Sequence, residues 1–188
     1  MGQLFELIAD DALIKLDEEE ECHVCHKRDI DLYHYQGRRQ LENGHIDDDI
    51  YAACADCILT KNLSHSGDVE YIRTIENYIA TSNLSPHEQA MKITSLIATY
   101  QKTPGIPRFM QYEDRPLCCY NITEFIGHPI NNEELYKIAD HNIYWEKQVR
   151  EKSRLYDFRK YGSPESLKDV ASFKCKHCSR QYFTFQFT

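Results

Sequence analysis

The chain has 188 residues, enough for one generous domain or two small ones with a buried core. An apolar fraction of 41% beside 28% charged residues excludes a disordered chain, and no run of eighteen apolar residues exists to span a membrane. The formal net charge of −8 argues against a surface built to neutralise nucleic-acid phosphates and is compatible with a basic protein partner.

Met1 to Ile14 carries Glu6, Asp10 and Asp11 and lacks the basic start and long apolar run of a secretory signal. Eight cysteines without an export signal point to a reducing compartment, the cytoplasm, where metal ligation is favoured over disulfides. Leu4, Phe5, Leu7, Ile8, Ala12, Leu13 and Leu16 fall at roughly helical spacing, which predicts a short amphipathic helix over residues 3–16. The acidic run Asp17 to Glu21 then reads as a solvated connector, with a docking strip for a cationic partner as the sharper alternative.

Cys22-His23-Val24-Cys25 and Cys54-Ala55-Asp56-Cys57 are two Cys-x-x-Cys knuckles separated by twenty-eight residues. Each knuckle can aim two thiolates at one ion from the same side, so two complete a tetrahedron, with zinc as the expected metal. An iron–sulfur cluster is the alternative tenant, and two unrelated pairs of buried or disulfide-bonded cysteines the structural one. Between the knuckles, Leu32 to Gly37 alternates as an aromatic strand, and Asn43-Gly44 predicts a turn. Asp47-Asp48-Asp49 lacks the glycine and terminal glutamate of a calcium loop and reads as a solvated turn. Strand, turn and strand between two knuckles is the build of a zinc ribbon or a treble-clef-like module.

A helical middle follows. Val69, Ile72, Ile75 and Ile79 mark one helix, and Ser85-Pro86 with Glu88 form a capping box that opens a second, which stops before Pro104-Gly105. The adjacent pair Cys118-Cys119 comes next, for which a reactive thiol with His128 as base is one reading. Asn131 and Asn132 cap a long helix predicted to run towards Tyr161. Its second half, Glu146 to Lys160, is locally basic; a self-paired solvated face is the default there, and a contact for RNA, DNA or an acidic partner the alternative. Gly162-Ser163-Pro164 ends it. A third knuckle, Cys175-Lys176-His177-Cys178, precedes an alternating aromatic strand from Tyr182 to Phe187. Half a tetrahedron needs another half, so Cys118 and Cys119 are expected to complete a second zinc site with Cys175 and Cys178. The alternative replaces one of the adjacent thiols with His128, His177 or another histidine.

In this order the motifs resemble the CbrC family, small bacterial proteins linked to tolerance of a nuclease colicin. The family's opening Cys-x-x-Cys, Gly-Lys and tyrosine strand is matched by Cys22 to Cys25, His26-Lys27, Tyr33, Tyr35 and Gly37. Its second knuckle is matched by Cys54 to Ile58, and its Thr-Pro-Gly turn and Gln-Glu segment by Thr103 to Gly105 and Gln111 to Glu113. A later Cys-bearing segment falls on Cys118 to Gly127, and the final Phe-x-Cys-x-x-Cys on Phe173 to Cys178. Cys118 stands where the family has histidine and Thr123 where it has cysteine, which leaves the second ligand set open. Leu59-Thr60-Lys61 replaces the small residues after the second knuckle, and the first twenty residues have no counterpart.

The expected fold is α+β, with zinc-ribbon or treble-clef-like knuckles packed against a helical body with short antiparallel strands. Residues 1–21 would be an N-terminal helix and connector. Residues 22–188 would be one zinc-stabilised domain, made of a zinc module (22–66), a helical body (67–161) and a C-terminal knuckle and strand (162–188). The resemblance implies a non-enzymatic binding protein that confers tolerance or immunity to a bacterial protein toxin, such as a nuclease, through protein–protein contact. A nucleic-acid-associated zinc protein and a thiol or metal enzyme are the alternatives.

Overall fold

A computed structural model describes residues 2–17, 20–106, 115–145 and 156–186 of the chain. The expected features on Glu18, Glu19, Arg108 to Glu113, Glu146 to Leu155 and Phe187 lie outside the described residues. The fold is α+β, with mainly antiparallel sheets and five α-helices among the described residues. Two compact units form it: Leu4–Glu6 with Ile14–Glu113, and Met1–Gln3 and Leu7–Leu13 with Asp114–Thr188.

In the unit of Ile14–Glu113, β1 (Leu32–Gln40) and β2 (Ile46–Cys54) make an antiparallel hairpin, and β3 (Leu63–His65) pairs with the other edge of β1. The predicted Asn43-Gly44 turn is present. Gly44 takes φ +82°, which a side chain would resist, and Asn43 Oδ1 accepts from His45 N at 3.0 Å. Register slips on either side of Gly37. A Cβ at Gly37 would lie 2.7 Å from Cδ1 of Tyr35 and 2.8 Å from the Ser64 carbonyl, so only glycine lets β3 approach.

Helix α1 (Ala55–Thr60) follows the hairpin directly, then α2 (Val69–Ala80) and α3 (Pro86–Gln101). Tyr71, Ile75 and Ile79, four residues apart, form the buried stripe of α2. The capping box at the start of α3 is complete, with Ser85 accepting from Glu88 N and Glu88 accepting from Ser85 N. Rings of Tyr35, His65, Tyr100 and Tyr71 meet in succession, the first pair stacked and the next two tilted, with centroids 4.3, 4.7 and 4.9 Å apart. Tyr35 Oη donates to the Gln101 carbonyl at 2.8 Å, and Gly105 N to His34 O at 2.9 Å, which fixes the Thr-Pro-Gly turn on β1.

The other unit carries a small hairpin, β4 (Leu117–Cys118) with β5 (Asn121–Ile122). It then adds β6 (Glu124–Gly127), α4 (Asn132–His141), β7 (Ile143–Tyr144), α5 (Phe158–Tyr161), β8 (Val170–Lys174) and β9 (Gln181–Phe185). The four-stranded sheet runs β6-β8-β9-β7, with β7 parallel to β9 and the other pairs antiparallel. Its core is Leu135, Ala139, Tyr144, Phe158, Val170, Phe183 and Phe185.

Two expected helices are corrected. Residues 3–16 do not form one; a single 3-10 turn, Asp10–Ala12, is present. Leu7 O instead accepts from Phe125 N, and Ala9 N donates to Phe125 O, both at 2.9 Å, so this stretch lies along β6 as a strand-like edge. The helix capped by Asn131, whose side chain accepts from Glu134 N, stops at His141. Asn142 turns extended, and Ile143-Tyr144 joins β9. No helix among the described residues is long and apolar enough to cross a membrane.

Gly37→Ala is expected to lower stability by about 2–3 kcal/mol, because the new methyl group meets backbone as well as a ring. Ser85→Ala is expected to cost about 1 kcal/mol through the lost cap. Urea unfolding midpoints read both, and the order of the two effects is the check.

Candidate metal centres

All eight cysteines are free thiols, and they gather in two groups. Cys22, Cys25, Cys54 and Cys57 form the first; Cys118, Cys119, Cys175 and Cys178 form the second. Within each, the four sulfurs all lie within 4.8 Å of one another. Among the described residues no histidine joins either group. His128 is engaged with the Val170 carbonyl through Nδ1 at 2.7 Å, and His177 Nε2 accepts from Asn121 Nδ2 at 2.8 Å.

Local chain geometry explains the convergence. In the first knuckle Cys22 N donates to Lys27 O at 3.0 Å and His26 N to Cys22 O at 2.8 Å. The third knuckle repeats the pattern, Cys175 N to Arg180 O at 2.8 Å and Ser179 N to Cys175 O at 2.9 Å. Each loop closes by putting the residue after its second cysteine in the left-handed region, His26 and Ser179 both at φ 58°. Neither is glycine, so both hold a strained backbone.

The opposite half of each centre is built differently. Cys54 precedes α1 and Cys57 lies in its first turn, so a helix N-terminus presents both thiols. Cys118 ends β4, and Cys119-Tyr120 is the two-residue turn into β5, at φ 50° and 57°. Positive φ at both central positions is what a tight hairpin turn of this twist requires. It lets adjacent cysteines face one point, which an ordinary strand would forbid.

The donor set suits a single ion. An ion with bonds of about 2.3 Å to four sulfurs sets them about 3.8 Å apart. The observed separations are 3.9 Å for Cys25 to Cys54, 3.8 Å for Cys118 to Cys119 and 3.5 Å for Cys118 to Cys178. A disulfide needs about 2.05 Å, and a multi-iron cluster, where each iron takes its own thiolates, needs sulfurs spread wider than these. Both centres can therefore hold a metal ion such as zinc.

Electrostatics agrees. Burial pushes the Cys22 thiol up, yet the N–H groups of Cys54, Cys25 and Val24 aimed at it prevail and bring it down to about 7. The Arg180 N–H and the Cys118 thiol bring Cys178 down to about 7 as well. Burial pushes Cys118 up to about 12 against the hydroxyl of Tyr182, which donates to it. Cys57 is raised by burial, then by the neighbouring thiols. One thiolate in each group thus forms readily while further charge is resisted, and a bound divalent cation removes that resistance.

Two further residues position the ligands. Arg39 Nη1 donates to the Val24 carbonyl inside the first knuckle at 2.7 Å while its Nε pairs with Asp47 at 3.0 Å. Asn121 Nδ2 donates to the Cys119 carbonyl at 2.8 Å as well as to His177, so it spans both arms of the second centre. Arg39 lies outside the cysteine motifs, and Asn121, though inside the Cys118 to Gly127 segment, shows its second role only once the hairpin and the third knuckle meet.

His26→Gly and Ser179→Gly are each expected to raise thermal stability by about 1 kcal/mol, since glycine takes a positive φ without strain. Asn121→Ala is expected to weaken metal binding at the second centre by about 10- to 100-fold with the first unchanged, read by competition with a chromophoric chelator.

No curated protein and no solved structure matches the chain. A family model described as an uncharacterised protein family, UPF0167, matches residues 8–187, a span that takes in all eight cysteines and both units. The chain belongs to the UPF0167 family.

Proposed function

We propose that this is a zinc-stabilised binding protein of the CbrC type, without catalytic chemistry of its own, which gives tolerance to a bacterial protein toxin by protein–protein contact. The observation that carries the reading is that each centre offers four thiol ligands from the chain. Such a set fills a tetrahedron and leaves no position for water or substrate, so the metal holds the fold rather than reacting. Zinc is the metal this reading assigns, because four soft thiolates at single-ion spacing suit it and it needs no redox partner.

Charge supports a basic partner. A net charge of −8 steers a basic surface, such as that of a nuclease domain, into encounter and fits the CbrC resemblance. Free thiols at all eight positions accord with the cytoplasm as the site of action.

Elemental analysis of the purified chain is expected to give two zinc per chain, with chelation lowering the unfolding temperature. Iron in place of zinc, or fewer than two equivalents, overturns the metal assignment. Co-expression with a toxin encoded by an adjacent gene is expected to protect cells and yield a complex whose association rate falls steeply with salt. Absence of both protection and a complex overturns the binding reading.

A further inference from the structure

The two centres differ in access. In the first, Cys22 and Cys57 are fully buried, Cys54 is 6% exposed and Cys25 is half-buried, so no two open sulfurs exist there. In the second, Cys118 and Cys175 are buried, but Cys119 and Cys178 are both exposed. These two come from opposite arms, the β4–β5 turn and the β8–β9 knuckle, and their sulfurs lie within 4.8 Å of each other. Cys119 sits in a turn held at positive φ in two successive non-glycine residues, so a shift there relaxes the backbone.

We propose that the second centre is a peroxide-sensitive modification site: a hydroperoxide converts Cys119 and Cys178 to a disulfide, the zinc is given up, and the first centre stays reduced. This rests on the zinc assignment above and adds to it a chemistry that the buried centre lacks. An exposed sulfur attacks the peroxide, taking one oxygen as sulfenic acid and releasing hydroxide as the O–O bond breaks. The second exposed sulfur attacks that sulfenic sulfur, forming the S–S bond and releasing a second hydroxide. Two electrons pass from the pair of thiolates to hydrogen peroxide, and two protons convert the hydroxides to water. Cys118 and Cys175 remain as two ligands, too few to keep the ion. The new bond still joins the hairpin to the knuckle, and a dithiol reductant reverses it.

The test uses the intact zinc-loaded chain, titrated with hydrogen peroxide. Zinc is counted before and after, release is followed with a chromophoric chelator, and cysteines are mapped by differential alkylation and peptide mass analysis. Expected are two zinc at the start, one released per peroxide consumed, a Cys119–Cys178 bond, and Cys22, Cys25, Cys54 and Cys57 still alkylatable after denaturation. Dithiothreitol with added zinc restores the initial state. With two zinc at the start, equal loss from both centres, oxidation of the first group, a bond between other cysteines or no release overturns the proposal alone. A starting count below two overturns the zinc assignment and takes this proposal with it.

Discussion

Four sulfurs brought within 4.8 Å is the constraint on which both units depend. Sulfurs this close are costly neighbours unless a cation sits among them, because each added thiolate raises the next thiol's resistance to ionising. The chain prepares for the cation with backbone N–H groups, as at Cys22, rather than with charged side chains. A filled centre replaces a large part of the apolar burial that a small unit needs. It also explains elements that could not stand by themselves: β4 and β5 have two residues each, and α1 only six.

The centres share one half and differ in the other, and the shared half is where sequence legibility is greatest. A Cys-x-x-Cys knuckle is local: six consecutive residues contain its ligands, its two backbone hydrogen bonds and its left-handed residue. Spacing alone therefore reveals it. The capping residues Ser85 and Asn131 were legible for the same reason, since a cap is settled within four residues. Cys118-Cys119 was legible as a ligand pair only by elimination. The turn that makes it work contains neither asparagine nor glycine, so no turn signal marks Cys119-Tyr120 as a hairpin tip. Gly127, at the end of β6, and Thr123 gave no hint of it either.

The misread elements fail in the opposite way, through partners far away in sequence. Leu4 to Leu16 carries a helical pattern, but Phe5, Leu7 and Ile8 are all buried, which a single helix stripe would not bury together. Hydrogen bonds to Phe125 decide the matter from more than a hundred residues downstream. At the other end of the chain, the helical pattern of α4 continues into Ile143-Tyr144, where a β-branched and an aromatic residue favour the pleat. Pairing with Tyr182 and Phe183 captures them, and Tyr144 then stacks on Phe185 at 5.1 Å. Periodicity reports which residues want burial; it does not report which neighbour provides it.

The edge of β2 shows how the same knuckle limits what the surface offers. This strand pairs with β1 on one side only, so its outer main-chain groups would ordinarily invite another strand. Near the centre, His23 occupies that edge: its backbone N–H donates to Ala52 O at 3.0 Å, and Nδ1 lies 3.3 Å from both Tyr51 N and Asp49 O. Whichever tautomer the ring takes, it satisfies one of those two groups. Further out, Asp48 and Asp49 are exposed and Asp47 is engaged with Arg39, which puts charge where a second strand would dock. Strand addition is thus opposed near the knuckle by His23 and further out by carboxylates, of which Asp47 is tied through Arg39 to the Val24 carbonyl. The exposed edge of this sheet therefore presents carboxylates and the rim of the metal knuckle.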